Sequence, residues 1–198
     1  MERPMDLEKF ERIKCLYGGV ASWACWSPQS NPERKKSGIG DLSIFDPKNP
    51  NNTISSLHTN FVLVGLNISR DDVSDKPWRN FHSYNPRAND YKIRLMLEGT
   101  KLWGSYMTDI FKNFPEPNSS KVKAYCRKNP DQLESQVEAF REEMKFVCDN
   151  QTTLIAFGGV TFEILEANFK NDFKIQKVLH YAYRFASIDE KRQGCLEI

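Results

Sequence analysis

Apolar residues are gathered into short runs along this chain, separated by long polar stretches. The densest run is Phe61, Val62, Leu63 and Val64, followed by Gly65, Leu66 and Asn67. A continuous apolar run of this kind suits a central parallel strand covered on both faces, and a strand is predicted over 61–66. Shorter runs predict strands over 106–111, 153–157 and 174–181, with a short strand or buried extended segment over 20–26. Between the runs the spacing changes to that of a helix. Leu7, Phe10 and Ile13 mark a first helix ended by Gly18 and Gly19, and residues 90–102 predict a second. Leu133, Val137, Phe140, Met144 and Val147 repeat every three or four residues, the signature of an amphipathic helix of about five turns. Its start is marked by Asn129 as cap, Pro130 at the first helical position and Gln132 at the capping-box position. Gly158 and Gly159 make a tight exit from the strand over 153–157 into a last helix over 160–169.

Strands alternating with helices predict an α/β protein, a three-layer α/β/α sandwich on a mainly parallel sheet of about four strands. A length of 198 residues fits a single domain spanning 1–198. Residues 27–59 interrupt the pattern. Pro28, Pro32, Pro47 and Pro50, several asparagines and the basic cluster Arg34-Lys35-Lys36 predict a long, irregular excursion.

Composition narrows the function classes. The hydrophobic share is 39%, and no apolar run reaches the length of a membrane span, so no membrane partner is expected. The first residues are charged and lack the apolar centre of a secretory signal, which favours the cytoplasm. Cys15, Cys25, Cys126, Cys148 and Cys195 are scattered, without a C-x-x-C pair, and read as free thiols. His58, His82 and His180 show no metal-ligand spacing, so neither a metal nor another cofactor is expected. The formal net charge is only +2. Nucleic-acid binders usually carry a marked basic excess, yet 170–184 holds Lys170, Lys174, Lys177 and Arg184 against Asp172 alone. That segment reads either as a solvated face or as an edge turned towards phosphates.

In parallel sheets of this kind ligands gather outside the carboxyl ends of the strands. Those ends carry Gly65-Leu66-Asn67, Thr108-Asp109, Gly158-Gly159 and His180. On local grounds Asn67 is a turn residue. The chain has no G-x-G-x-x-G, no G-x-x-x-x-G-K-[ST] and no G-x-S-x-G, which removes the main support for dinucleotide, P-loop and nucleophile-elbow readings.

The order V-L-V-G-L-N-I-S, a loop with Trp78-Arg-Asn-Phe81, a strand ending Tyr106-Met-Thr-Asp109, then Leu154-Ile-Ala-Phe-Gly-Gly159 and Val178-Leu-His180-Tyr181 resembles the uracil-DNA glycosylase superfamily. The resemblance covers roughly 61–184. It implies that Gly65 and Asn67 belong to a first motif in which the Asn holds a water for attack at the sugar carbon. The family has proline where this chain has Ile68, and glycine or serine at Ser69. His180 matches a histidine beside the departing base, where a donor stabilises the developing anion. Tyr181 follows where the family has proline, and is placed to act as a wedge. Phe81 stands where the resemblance implies an aromatic platform for a flipped base. Asp109 departs from the Asn that reads the pyrimidine amide; an ionised carboxylate accepts only, which suits an amino group better than the edge of uracil. Lys174, Lys177, Tyr181 and Arg184 are the candidate nucleic-acid contacts. The resemblance thus implies hydrolysis of an N-glycosidic bond without a cofactor, on DNA or a nucleobase-containing ligand. A noncatalytic binding protein of the same fold and a nucleoside- or nucleotide-processing enzyme remain as alternatives.

Overall fold

The computed structural model describes residues 5–29, 34–68, 76–85, 87–112 and 114–198. Five strands form one sheet in the order β1-β3-β2-β4-β5: β1 (Ser22–Trp23), β2 (His58–Asn67), β3 (Ser105–Phe111), β4 (Thr153–Phe157) and β5 (Lys174–Val178). β2, β3, β4 and β5 run parallel, and β1 adds an antiparallel edge beside β3. The expected sheet of about four strands is therefore corrected to five. β1 has only two residues, too few to carry an alternation, which is why the segment 20–26 did not declare itself as a ladder.

Among the described residues, six α-helices accompany the sheet: α1 (Leu7–Tyr17), α2 (Asp90–Leu97), α3 (Ser119–Lys128), α4 (Pro130–Val147), α5 (Gly159–Phe169) and α6 (Ile188–Leu196). Alternation along the strands divides the core in two. Val62, Val64, Tyr106, Ile110, Leu154 and Ala156 face one side and pack with Phe10 and Ile13 of α1, Phe140 and Met144 of α4, and Leu165 and Phe169 of α5. Leu63, Met107 and Ile155 face the other and pack with Ile93, Met96 and Leu97 of α2 and Cys195 of α6. The sheet is thus sandwiched between two helical layers. From β2 the chain passes to β3 on one side and later to β4 on the other, so the reversal of strand order lies at β2, where open α/β sheets leave a crevice.

Pro130 does begin α4, but Asn129 does not cap it with its side chain. Its Nδ2 donates instead to Tyr125 O at 2.9 Å, closing α3, so one residue ends the first helix rather than starting the second. Further along α4, the buried Glu143 accepts from Tyr106 Oη at 2.8 Å and pairs with Lys112 Nζ at 2.7 Å, tying the helix to β3.

The excursion over 27–59 is less irregular than its composition implies. Two single-turn 3-10 helices, Ser43–Phe45 and Ile54–Ser56, bury Ile44, Phe45 and Ile54. Arg94 of α2 is 2% exposed and donates to the carbonyls of Lys35 (2.7 Å), Ser37 (2.8 Å) and Ser27 (3.4 Å). Pro32, within this excursion, lies outside the described residues. All five cysteines are unpaired thiols. Among the described residues, no helix is long and apolar enough to cross a membrane.

Candidate active site at the strand ends

The carboxyl ends of the parallel strands open into a cleft of about 510 Å³. Gly65 and Asn67 of β2, Asp109 of β3, and His180 and Tyr181 after β5 all line it, as do Gly158 and Gly159 at the entry to α5. Five of the candidate site residues, Gly65, Asn67, Asp109, His180 and Tyr181, thus share one concavity.

Asn67 ends β2, and its side chain turns to the loop after β3. Nδ2 donates to Phe114 O at 2.6 Å and Glu116 O at 2.8 Å. Two carbonyls can only accept, so the orientation of the amide is fixed and both its N–H groups are consumed. Oδ1, which has no partner among the described residues, is what Asn67 offers the cleft. The residue is therefore an acceptor there, and not the two-way amide that its chemistry alone allows. The backbone N–H of the next residue, Ile68, donates to Phe111 O at 3.1 Å. Proline could not make that bond. Ser69 lies outside the described residues.

Asp109 is paired in register with Gly65. A Cβ on Gly65 would collide with Asp109 Oδ1, so the carboxyl occupies the space that a side chain would fill. Its other oxygen, Oδ2, accepts from Asn80 Nδ2 at 2.9 Å, and the same Nδ2 donates to Val20 O at 2.9 Å. Burial pushes the Asp109 carboxyl up to about 6, against the Asn80 hydrogen bond and Lys112, which pull it down; Glu143 and Asp90 add to the rise.

His180 is held in one tautomer. Ala182 N–H donates to Nδ1 at 3.1 Å, which leaves the proton of the neutral ring on Nε2. Burial, helped by Lys191, pushes the imidazolium down to about 4, so the ring is neutral at neutral pH. It stacks on Tyr181 with centroids 4.2 Å apart. A side chain at Gly158, whose φ is 86°, would crowd His180 Cβ. Burial, with Asp90 and Asp109 nearby, raises the Tyr181 phenol, which stays protonated. From α6, the buried Lys191 donates to Tyr181 O at 3.2 Å and Tyr183 O at 2.7 Å and fixes the loop that carries the histidine. Gly159, Val160 and Thr161 line the cleft at the N-terminus of α5, a helix with no acidic residue in its first turn.

Not every candidate converges here. Phe81 is 6% exposed and packs in the core beside Leu63 and Met107, its ring beneath Gly65 rather than on the cleft wall. Its φ of 62° and that of Trp78, 69°, lie in the left-handed region. Lys174 is opposite Thr153, at the far end of β5 from the cleft, and Lys177 lies over the Phe162 ring of α5 at 5.3 Å. Arg184 is exposed just beyond Tyr183, which does line the cleft. Sequence reasoning passed over Asn80 and Lys191. The signal for Asn80 was the buried carboxyl itself, because a strand-end aspartate packed on a glycine requires a donor close by.

Among the described residues, no group of three or more His, Cys, Asp or Glu side chains is arranged to hold a metal ion. Comparison of the chain with family models, with curated proteins and with solved structures finds no match.

Proposed function

We propose that this protein is a uracil-DNA-glycosylase-like hydrolase that cleaves the N-glycosidic bond of a base in DNA without a cofactor. The observation that carries this reading is the fixed and opposite polarity of Asn67 and His180 in one cleft: an acceptor, Oδ1, and a neutral donor, Nε2–H. A water donating to Asn67 Oδ1 keeps a lone pair for the sugar carbon. An amide cannot deprotonate that water, so breakage of the bond to the base runs ahead of attack. The bonding electron pair leaves with the base, where His180 Nε2–H donates to the oxygen or nitrogen that gathers the charge. The water oxygen bonds to the sugar carbon, and its surplus proton passes to the departed base. A neutral imidazole suits the donor role because it needs no reorganisation as charge develops.

A second reading, hydrolysis of free nucleosides, is favoured by the position of Lys174 and Lys177 away from the cleft, since a duplex or single strand needs cationic side chains along its backbone. One experiment addresses both. Oligonucleotides carrying uracil, hypoxanthine, xanthine, cytosine or a mismatch, and the matching deoxynucleosides, are incubated with the protein and scored for released base. The expected result is release from at least one oligonucleotide, lowered by roughly a hundredfold or more in Asn67→Ala, in line with loss of a positioned polar group at a reacting centre. Release from deoxynucleosides alone would support the second reading. No release from any substrate would defeat both.

A further inference from the structure

In a cleft that takes a nucleobase, the reading on which this inference rests, the polarity of the wall decides which base edges fit. Asp109 is the buried carboxyl group among the residues lining that wall, 3% exposed. Three contacts in series determine what it offers. Val20 O accepts from Asn80 Nδ2, which fixes the Asn80 amide; Asn80 Nδ2 donates to Asp109 Oδ2; and Oδ1 is left over the bare backbone of Gly65. Oδ1 has no hydrogen-bond partner among the described residues. We infer that Asp109 is the specificity-determining residue of the cleft, selecting nucleobases whose facing edge carries an exocyclic amino group over their oxo counterparts.

The reason is complementarity of donors and acceptors. An amino group donates to Oδ1, whereas a carbonyl in the same place sets two acceptors face to face and leaves a buried carboxylate unpaired. A site built to receive a hydrogen bond rejects the analogue that lacks it far more strongly than an apolar pocket rejects a change of size. Asp90, which also lines the cleft, adds a second acidic side chain to that wall; it and Glu143 act to disfavour the ionised form of Asp109, with Lys112 as the opposing cation. Asp109→Asn reverses the sign. Because Asn80 can only donate at that contact, the new amide turns its oxygen to Asn80 and its NH2 into the cleft, converting an acceptor to a donor without a change of shape.

The test is direct binding of 2′-deoxycytidine against 2′-deoxyuridine, and 2′-deoxyadenosine against 2′-deoxyinosine, to the full chain by calorimetry or ligand-observed NMR. The wild type is expected to favour the amino member of each pair by about tenfold or more, and Asp109→Asn to favour the oxo member. The wild type supplies a second measurement that needs no variant. Protonation places the acid hydrogen on Oδ1, since Oδ2 faces the Asn80 donor, so the amino preference should shrink between about pH 8 and about pH 5. Two neighbours in the cleft do not titrate in that range: the Tyr181 phenol is raised and His180 is neutral down to about 4. Equal affinity within each pair, a preference unaltered in Asp109→Asn, or no binding of any nucleoside overturns the inference. Amino-selective binding without base release from any oligonucleotide would sustain it while removing the hydrolase reading.

Discussion

Asp109 sits where a side chain on Gly65 would be, and burying a carboxylate there has a cost that pH can reveal. Its folded pKa is about 6 against an ordinary 3.8, so the folded state holds the proton more tightly than the unfolded chain does. The stability linked to that proton is fully present below about 3.8 and is lost as the pH rises through about 6. Asp109→Asn removes the titration and keeps an acceptor for Asn80. Thermal melts should show the variant gaining on the wild type by on the order of 2 kcal/mol at about pH 8, and by little at about pH 4. A difference independent of pH would show that Asp109 is not buried as described. His82 and His180, both pushed down to about 4 chiefly by burial, act in the opposite sense: their contribution is present above about 6.5 and is lost as the pH falls through about 4. At this scale the sequence was partly legible. Asn67, Asp109 and His180 were recognisable as polar residues at strand ends. The direction of each polar group was not, because it is set by Phe114 and Glu116 for Asn67, by Asn80 for Asp109, and by the backbone of Ala182 for His180.

Among the elements, those with a dense apolar face declared themselves and those without did not. β2, β4 and α4 carry runs or repeats that bury Val62, Leu63 and Val64, the whole of β4, and Val137, Phe140, Met144 and Val147. α3 buries only Val122 and Cys126, and α6 buries Lys191 and Cys195, so neither has the apolar stripe that periodicity detects. α6 is instead marked by its start, a capping box in which Ser187 and Glu190 bond reciprocally. Between α2 and the segment after β1, one side chain replaces a ladder. Arg94 supplies the donors for three carbonyls of 27–37 that no strand or helix satisfies. Arg94→Ala would remove this shared donor, with the carbonyl of the buried Ser27 the most affected, and chemical denaturation should register a loss of about 1–3 kcal/mol. Hydrogen exchange should localise the loosening to residues 34–40 while the amides of β2 and β4 stay protected. Uniform exchange across the sheet would mean that the arginine supports the whole core rather than this segment.

For the molecule as a whole, the reversal of strand order at β2 creates the cleft, and the helical layers on the two faces leave it open only at the strand ends. Among the described residues no strand pairs with the outer side of β5, and Lys174 and Lys177, which stand away from the cleft, are exposed on this strand. A row of free peptide groups is a template onto which another chain can add a strand. Ammonium groups hinder that growth, since a second copy arriving in register would bring like charges together and strip them of water. These lysines are then sentries of solubility, and their value appears only in a crowd. Lys174→Val with Lys177→Val should leave dilute melting behaviour and base release nearly unchanged, while light scattering rises with concentration and with time near the melting midpoint. A doubly substituted protein that stays monodisperse at high concentration would show that α6 and the loop before it already cover the border, and that this flank of the sheet needs no electrostatic guard.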